Sequence, residues 1–169
     1  CIEKLRQQGG EIDKYFKICD IDIIRKMLGI IDGNSHISLR ILDWFVTRYS
    51  DKYKISFNNG IEIDFNVHIS YKSQLKSYKK KYFDPFRRRR KILYHYNKQN
   101  PAETFMTTIG QLNFFKWAIS NKIIDYVDEH YDAIIKAMNK SNKEDKIKKK
   151  EVKIKVVHKP VVKVSAVKK

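Results

Sequence analysis

The 169-residue chain holds two cysteines, three prolines and six glycines, and each scarcity removes a class of protein. Cys1 and Cys19 cannot staple a small disulfide scaffold, and with a lysine-rich composition and no visible secretory signal the expectation is a reducing, intracellular setting. Cys19 reads as a small buried apolar residue rather than a nucleophile. Because the chain starts at Cys1 instead of Met, an upstream segment is left open. Only Gly9 and Gly10 are adjacent, so no glycine-rich loop is present to cradle a phosphate. No apolar run approaches the roughly 20 residues that span a bilayer. His-Glu-x-x-His and Cys-x-x-Cys patterns are missing, and His36, His68, His95, His130 and His158 show no metal-ligand spacing. These absences predict no catalytic residues, no metal, no cofactor and no membrane, and they leave a small enzyme as the weakest of three functional classes.

Basic charge is abundant: 36 Lys and Arg oppose 19 Asp and Glu, a net charge of +17. It is also confined. Residues 1–71 are neutral and residues 92–139 nearly so, while residues 72–91 hold ten cations (Lys72, Lys76, Lys79, Lys80, Lys81, Arg87, Arg88, Arg89, Arg90 and Lys91) against Asp84. Residues 140–169 hold twelve lysines against Glu144, Asp145 and Glu151. A clustered single sign repels itself and persists most easily where an opposite charge neutralises it. With 42% hydrophobic residues, including nine Phe and ten Tyr, the rest can build a core. The expected division is one α+β globular domain over 1–139 and a Lys-rich extended tail over 140–169, within which 141–151 read as a linker or a solvated helix extension.

Periodicity places the elements. Ile12, Tyr15, Phe16, Cys19, Ile23, Ile24, Met27 and Leu28 form a helical face, interrupted near Asp20 or Asp22. Asp32-Gly33-Asn34 signals a turn, after which Asn34 or Ser35 caps a helix to about Ser50 carrying Leu39, Leu42, Val46 and Tyr49. Ile61, Ile63, Phe65, Val67 and Ile69 alternate with polar residues behind Asn59-Gly60, the pattern of a hairpin. Residues 71–83 read as a helix with Lys72, Lys76 and Lys80 in one row. Asp84-Pro85 reads as the start of another helix, over 86–96, that wraps residues 87–90 around its circumference. Asn100-Pro101 breaks the chain, Thr107 or Thr108 caps a helix with Leu112, Phe115 and Ile119, and a last helix carries Ile124, Val127, Tyr131, Ile134, Ile135 and Met138. The fold class is therefore α+β: a small antiparallel sheet around Asn59-Gly60 packed with about five helices, plus a basic C-terminal tail.

The 72–91 block interleaves its cations with Tyr71, Tyr78, Tyr82, Phe83, Phe86, Tyr94 and Tyr96. Cations neutralise phosphates and aromatic rings stack bases, although those rings serve a core equally well. The candidate contacts to nucleic acid or to an acidic partner are the ten cations, joined by Lys148, Lys149, Lys150, Lys153 and Lys155 of the tail. Asp125, Asp128, Glu129 and Asp132 read as helix-surface charge facing solvent or the arginines, and His68 as a solvated polar-face histidine. No base-reading motif is present, so binding would be to the backbone and sequence-independent.

Three stretches carry a resemblance: Ser38-Leu-Arg-Ile-Leu-Asp-Trp-Phe-Val-Thr-Arg-Tyr-Ser50, Val67-His-Ile-Ser-Tyr-Lys-Ser-Gln-Leu-Lys-Ser-Tyr-Lys79 continuing to Phe83-Asp-Pro-Phe-Arg-Arg88, and Thr107-Thr-Ile-Gly-Gln-Leu-Asn-Phe-Phe-Lys-Trp-Ala-Ile119. Over residues 35–125 they resemble an uncharacterised protein of nucleocytoplasmic large DNA viruses (giant viruses). The resemblance implies a viral origin and a setting in the host cytoplasm, viral factory or virion. It supplies no catalytic residues. The function expected is a non-enzymatic viral nucleic-acid-binding protein, associated with the genome or with transcription. The alternative is a structural virion protein, a minor capsid or cement component, docking through its basic tail onto an acidic surface of another viral protein. The residues do not set an oligomeric state.

Overall fold

The computed structural model describes residues 2–158. Helix α1 (Ile2–Ile18) and α2 (Ile21–Asp32) are separated at Asp20, whose side chain caps α2 by accepting from the Asp22 N–H. Gly33, at φ 79°, ends α2 in the left-handed conformation that only glycine adopts without strain. Helix α3 (Leu39–Trp44) begins later than its sequence signals indicate: Ser38, not Asn34 or Ser35, is the cap, accepting from the Ile41 N–H at 3.1 Å. The helix then widens into a π turn over Phe45–Tyr49 and closes in α4 (Ser50–Lys52). Thr47 and buried Ser50 donate to the carbonyls of Asp43 and Val46, the back-bonding that loosens a helical ladder.

The chain is α+β, with seven helices of six or more residues among those described and two separate two-stranded antiparallel sheets. The first sheet pairs β1 (Ser56–Phe57) with β2 (Phe65–Asn66) and is far shorter than the alternation predicts. Asn59 is 3% exposed; its carboxamide oxygen accepts from the Ile61 and Glu62 N–H groups and its amide donates to Asn121. That anchoring makes 58–64 a fixed loop, with Ile61 and Ile63 about 80% exposed. Asn66 next accepts from the Ile69 N–H and starts helix α5 (Val67–Ser77), so the expected strand is cut at its midpoint. His68 consequently lies on a helix, its Nδ1 3.4 Å from the Val46 carbonyl oxygen.

Residues 84–96, where a helix over 86–96 is expected, form no helix. The Asp84 carboxylate accepts from the Phe86 N–H and the Asp84 carbonyl from the Arg87 N–H, which closes a turn in place of a first helical turn. Arg90 has φ 57°, and β3 (Ile92–His95) follows, paired with β4 (Thr104–Thr107) in the register Ile92↔Thr107 to His95↔Thr104.

Helix α6 (Ile109–Ser120), capped by Thr108, buries Leu112, Phe114, Phe115, Trp117 and Ala118 on every side, as a central helix must. Around it pack Phe16 of α1, Met27 of α2, Phe45, Phe83, and Ile123 and Val127 of α7 (Ile123–Glu129). Tyr126 of α7 stacks on Phe57 at 4.8 Å and so covers the first sheet. The single last helix expected is two, broken at His130, and α8 (Tyr131–His158) does not stop near residue 140. Of the two readings of 141–151, a linker or a solvated helix extension, the structure shows the helix, and it continues through His158; the remainder of the tail, like Cys1, lies outside the described residues.

Candidate nucleic-acid interface

The ten cations of 72–91 stand on three elements. Lys72 and Lys76 are one turn apart on exposed α5. The third lysine of the expected row leaves the helix, because Tyr78 is extended (φ −108°, ψ 140°) and Lys80 falls in a 3-10 turn over Lys80–Tyr82. Residues 87–91 run irregularly into β3. Nine of the ten side chains are exposed and Arg87 is half-buried. Among the described residues none of the ten lies within 4 Å of a carboxylate. Asp125 and Asp128, possible partners of the arginines in the sequence, instead meet Lys26 at 3.8 and 3.5 Å, and Asp128 takes His36 at 2.7 Å. The hydrogen bond from His36 holds the Asp128 carboxyl below its usual range.

Losing the helix gathers the arginines. Residues 87–91 follow no helical rotation, and the left-handed Arg90 bends the backbone there. Arg87, Arg89 and Arg90 join Lys81, Tyr82, Ile92, Thr108, Ile109 and Gly110 around a cleft of about 240 Å³, while Arg88 is not part of its lining. Three side chains support this cleft: Asn113 and Gln111, which sequence patterning passed over, and Thr108, which it named only as a cap. Asn113 donates to the Tyr82 carbonyl at 2.8 Å, Gln111 to the Pro85 carbonyl at 3.0 Å, and Thr108 to the Arg87 carbonyl at 3.2 Å. All three are less than a tenth exposed. Buried amides on an apolar helix are the signal that was present: each needs a partner, and an adjoining irregular segment offers free carbonyls. Gly110 lets that segment lie directly on the helix.

Most aromatics of the block are core. Phe83 is 1% exposed, stacked on Tyr78 and packed edge-on to Trp117. Tyr94 donates to Asp13 at 3.3 Å. Tyr82, with Lys81 Nζ 4.9 Å from its ring centre, and half-exposed Phe86 are the rings left at the surface.

The tail cations ride on α8. Ile134 and Met138 bury its first turns, and Arg48 reaches Asp145 at 3.4 Å. Every described side chain from 146 to 157 is exposed, so about 18 Å of helix stands free of the body. At about 100° per residue, Lys148, Lys149 and Lys150 point in three directions. Lys150 and Lys153 instead continue a row begun by Lys143 and Lys146, spaced three, four and three residues apart. Both basic segments are bedded on the same support, since α5 and α8 each pack against the π turn. A cavity of about 290 Å³ between the 44–53 segment and α8 is lined by Trp44, Arg48, Tyr49, Tyr53 and Ala137 among others, and among the described residues the buried Trp44 indole N–H has no partner.

No group of three or more His, Cys, Asp or Glu side chains among the described residues is placed to hold a metal ion, and no described helix is long and apolar enough to cross a membrane. Cys19 is a half-buried free thiol beside Tyr15, raised by burial.

A small α+β body with an arginine-lined cleft and a projecting lysine helix is the class of protein these features define. The chain belongs to the Family of unknown function (DUF7197), which it matches over residues 4–164, well beyond the 35–125 segment of the resemblance. It is 46% identical over 142 residues to the Uncharacterized protein L507 of Acanthamoeba polyphaga mimivirus, an overlap covering 81% of this chain and 55% of that protein. The chain thus spans about half the length of this giant-virus relative. No solved structure matches it.

Proposed function

We propose that the chain is a non-enzymatic nucleic-acid-binding protein of a giant virus, directed to the phosphate backbone and indifferent to sequence. One observation carries the reading: ten cations between residues 72 and 91, none of them within 4 Å of a carboxylate among the described residues, four of them (Lys81, Arg87, Arg89 and Arg90) lining one cleft. Unneutralised arginines on a preformed surface release counterions when phosphates arrive. The lysine row of α8 extends the cationic surface outward. The viral relative supports a place in the host cytoplasm, viral factory or virion, with the genome or the transcription machinery as the setting.

The test is binding of the full chain to unrelated DNA and RNA oligonucleotides across a salt series. The expected result is a linear fall of log affinity with log salt, the same for each sequence, with a shallower slope when residues 87–90 are replaced by Ala. Absence of binding at low salt overturns the reading.

A second reading has its own observation. Val152, Ile154, Val156 and Val157 are all more than half exposed on the free part of α8. Apolar groups so displayed suit a protein partner, as in a structural virion component docking on an acidic neighbour. Replacing these four residues by Ser is expected to remove particle incorporation while leaving oligonucleotide binding intact, if docking is the role.

A further inference from the structure

The cleft under residues 87–90 has a shape and a charge that go beyond general backbone attraction. Resting on the nucleic-acid reading, we propose that it seats the terminal phosphate monoester of a nucleic-acid strand, in preference to an internal phosphodiester.

Charge balance is the first argument. Lys81, Arg87, Arg89 and Arg90 bring four formal positive charges to one concavity. The acid nearest in sequence, Asp84, has a carboxylate oxygen occupied by the Phe86 N–H at 2.9 Å, and no ion pair joins it to the four. An internal phosphodiester offers one negative charge and two free oxygens. A terminal monoester offers about −1.5 to −2 and three strong acceptor oxygens. Three guanidinium forks, each able to give two parallel hydrogen bonds, match the second donor demand and exceed the first.

Shape is the second argument. A space of about 240 Å³ takes a phosphate and the sugar behind it. Tyr82, Ile92 and Ile109 give the cleft an apolar side against which the first nucleoside can lie.

Rigidity is the third. The loop is tied to α6 through the carbonyls of Tyr82, Pro85 and Arg87, with Asn113, Gln111 and Thr108 as donors. The backbone bearing the cations is therefore held before a ligand arrives, which lowers the ordering cost of binding.

The experiment compares one 20-nucleotide single strand carrying a 5′-phosphate, a 3′-phosphate or hydroxyls at both ends, with the full chain, by fluorescence anisotropy at fixed ionic strength. One phosphorylated form is expected to bind about tenfold or more tightly than the hydroxyl form, with adenosine monophosphate competing away the difference. Arg89→Ala with Arg90→Ala is expected to abolish the preference, its folding checked by circular dichroism. Arg88→Ala is expected to weaken all three strands together and leave their ratio unchanged. Equal affinity for all three strands, with the salt dependence intact, overturns the terminal-phosphate seat and spares the nucleic-acid reading. Absence of binding to any strand at low salt overturns both.

Discussion

Gly110 and Lys81 meet backbone to backbone: a Cβ built on Gly110 would lie 2.8 Å from the Lys81 carbonyl oxygen and 3.3 Å from the backbone of Asp84. Neither neighbour is a flexible side-chain end, so nothing yields cheaply. Gly110→Ala is expected to destabilise the fold by about 1–3 kcal/mol through overpacking. Its clearest readout is a lowered midpoint in thermal or denaturant unfolding. An unchanged midpoint would mean that the loop over residues 81–84 moves freely off α6, and the rigid cleft would go with it.

Asn113→Ala tests the same seam from the other side. It leaves the Tyr82 carbonyl without its donor in a partly buried site. Removing one partner of such a bond costs about 1–3 kcal/mol. Amide exchange is expected to quicken locally at residues 80–90 and to stay slow in Leu112–Phe115 of the central helix. Uniform acceleration would count against a local strap.

Asn59 decides how the first sheet ends. Its carboxamide closes the 58–64 loop onto Asn121, so Asn59→Ala removes three hydrogen bonds at a site 3% exposed. A loss of about 1–3 kcal/mol is expected, together with protease cleavage near Ile61 and Ile63 that the parent chain resists. Stability within a few tenths of a kcal/mol of the parent would show that water replaces the side chain.

This residue also explains what patterning could and could not see. Five alternating apolar positions from Ile61 to Ile69 satisfy the strand rule, yet Ile61 and Ile63 point to solvent. Period-2 patterning reports burial only if one face is covered, and here asparagine side chains satisfied the backbone before a ladder formed. The same competition removed the arginine helix, where Asp84 capped a turn and went no further. Caps that agreed with their flanking periodicity, Asp20, Gly33 and Thr108, were legible because local and tertiary preferences coincide. The cations of the candidate interface were legible as a group. Their convergence was not, because it depends on Gln111 and Asn113 reaching carbonyls 26 and 31 residues away.

Asp43 predicts a pH dependence. Burial is the main cause that raises its carboxyl above the usual range; the neighbouring Asp84 adds to this and Lys80 opposes it. A carboxyl raised in the folded state favours folding below its unfolded value near 3.9, and that contribution is lost as pH rises through the folded value. Asp43→Asn, uncharged throughout, is therefore expected to be more stable than the parent at pH 7 and equal to it at pH 3, measured by urea unfolding. A difference that is the same at both pH values would point to packing instead of ionisation.

The free part of α8 yields the sharpest separation between charge count and charge placement. Lys143, Lys146, Lys150 and Lys153 share one face with Lys149 at its border, whereas Lys148 and Lys155, seven residues apart, lie together on the opposite side. A nucleic acid laid along the row touches the first group together and leaves Lys148 and Lys155 on the far side. Replacing the row by Gln is expected to reduce the slope of log affinity against log salt by about 3.6, that is about 0.9 for each of the lost phosphate contacts on duplex DNA. Replacing Lys148 and Lys155 is expected to reduce it by less than about 1. If the two sets lower the slope in proportion to their charge alone, α8 acts as a diffuse cation and the row has no geometric role. If neither changes it, the helix stands clear of the nucleic acid, and residues 72–91 make the contact unaided.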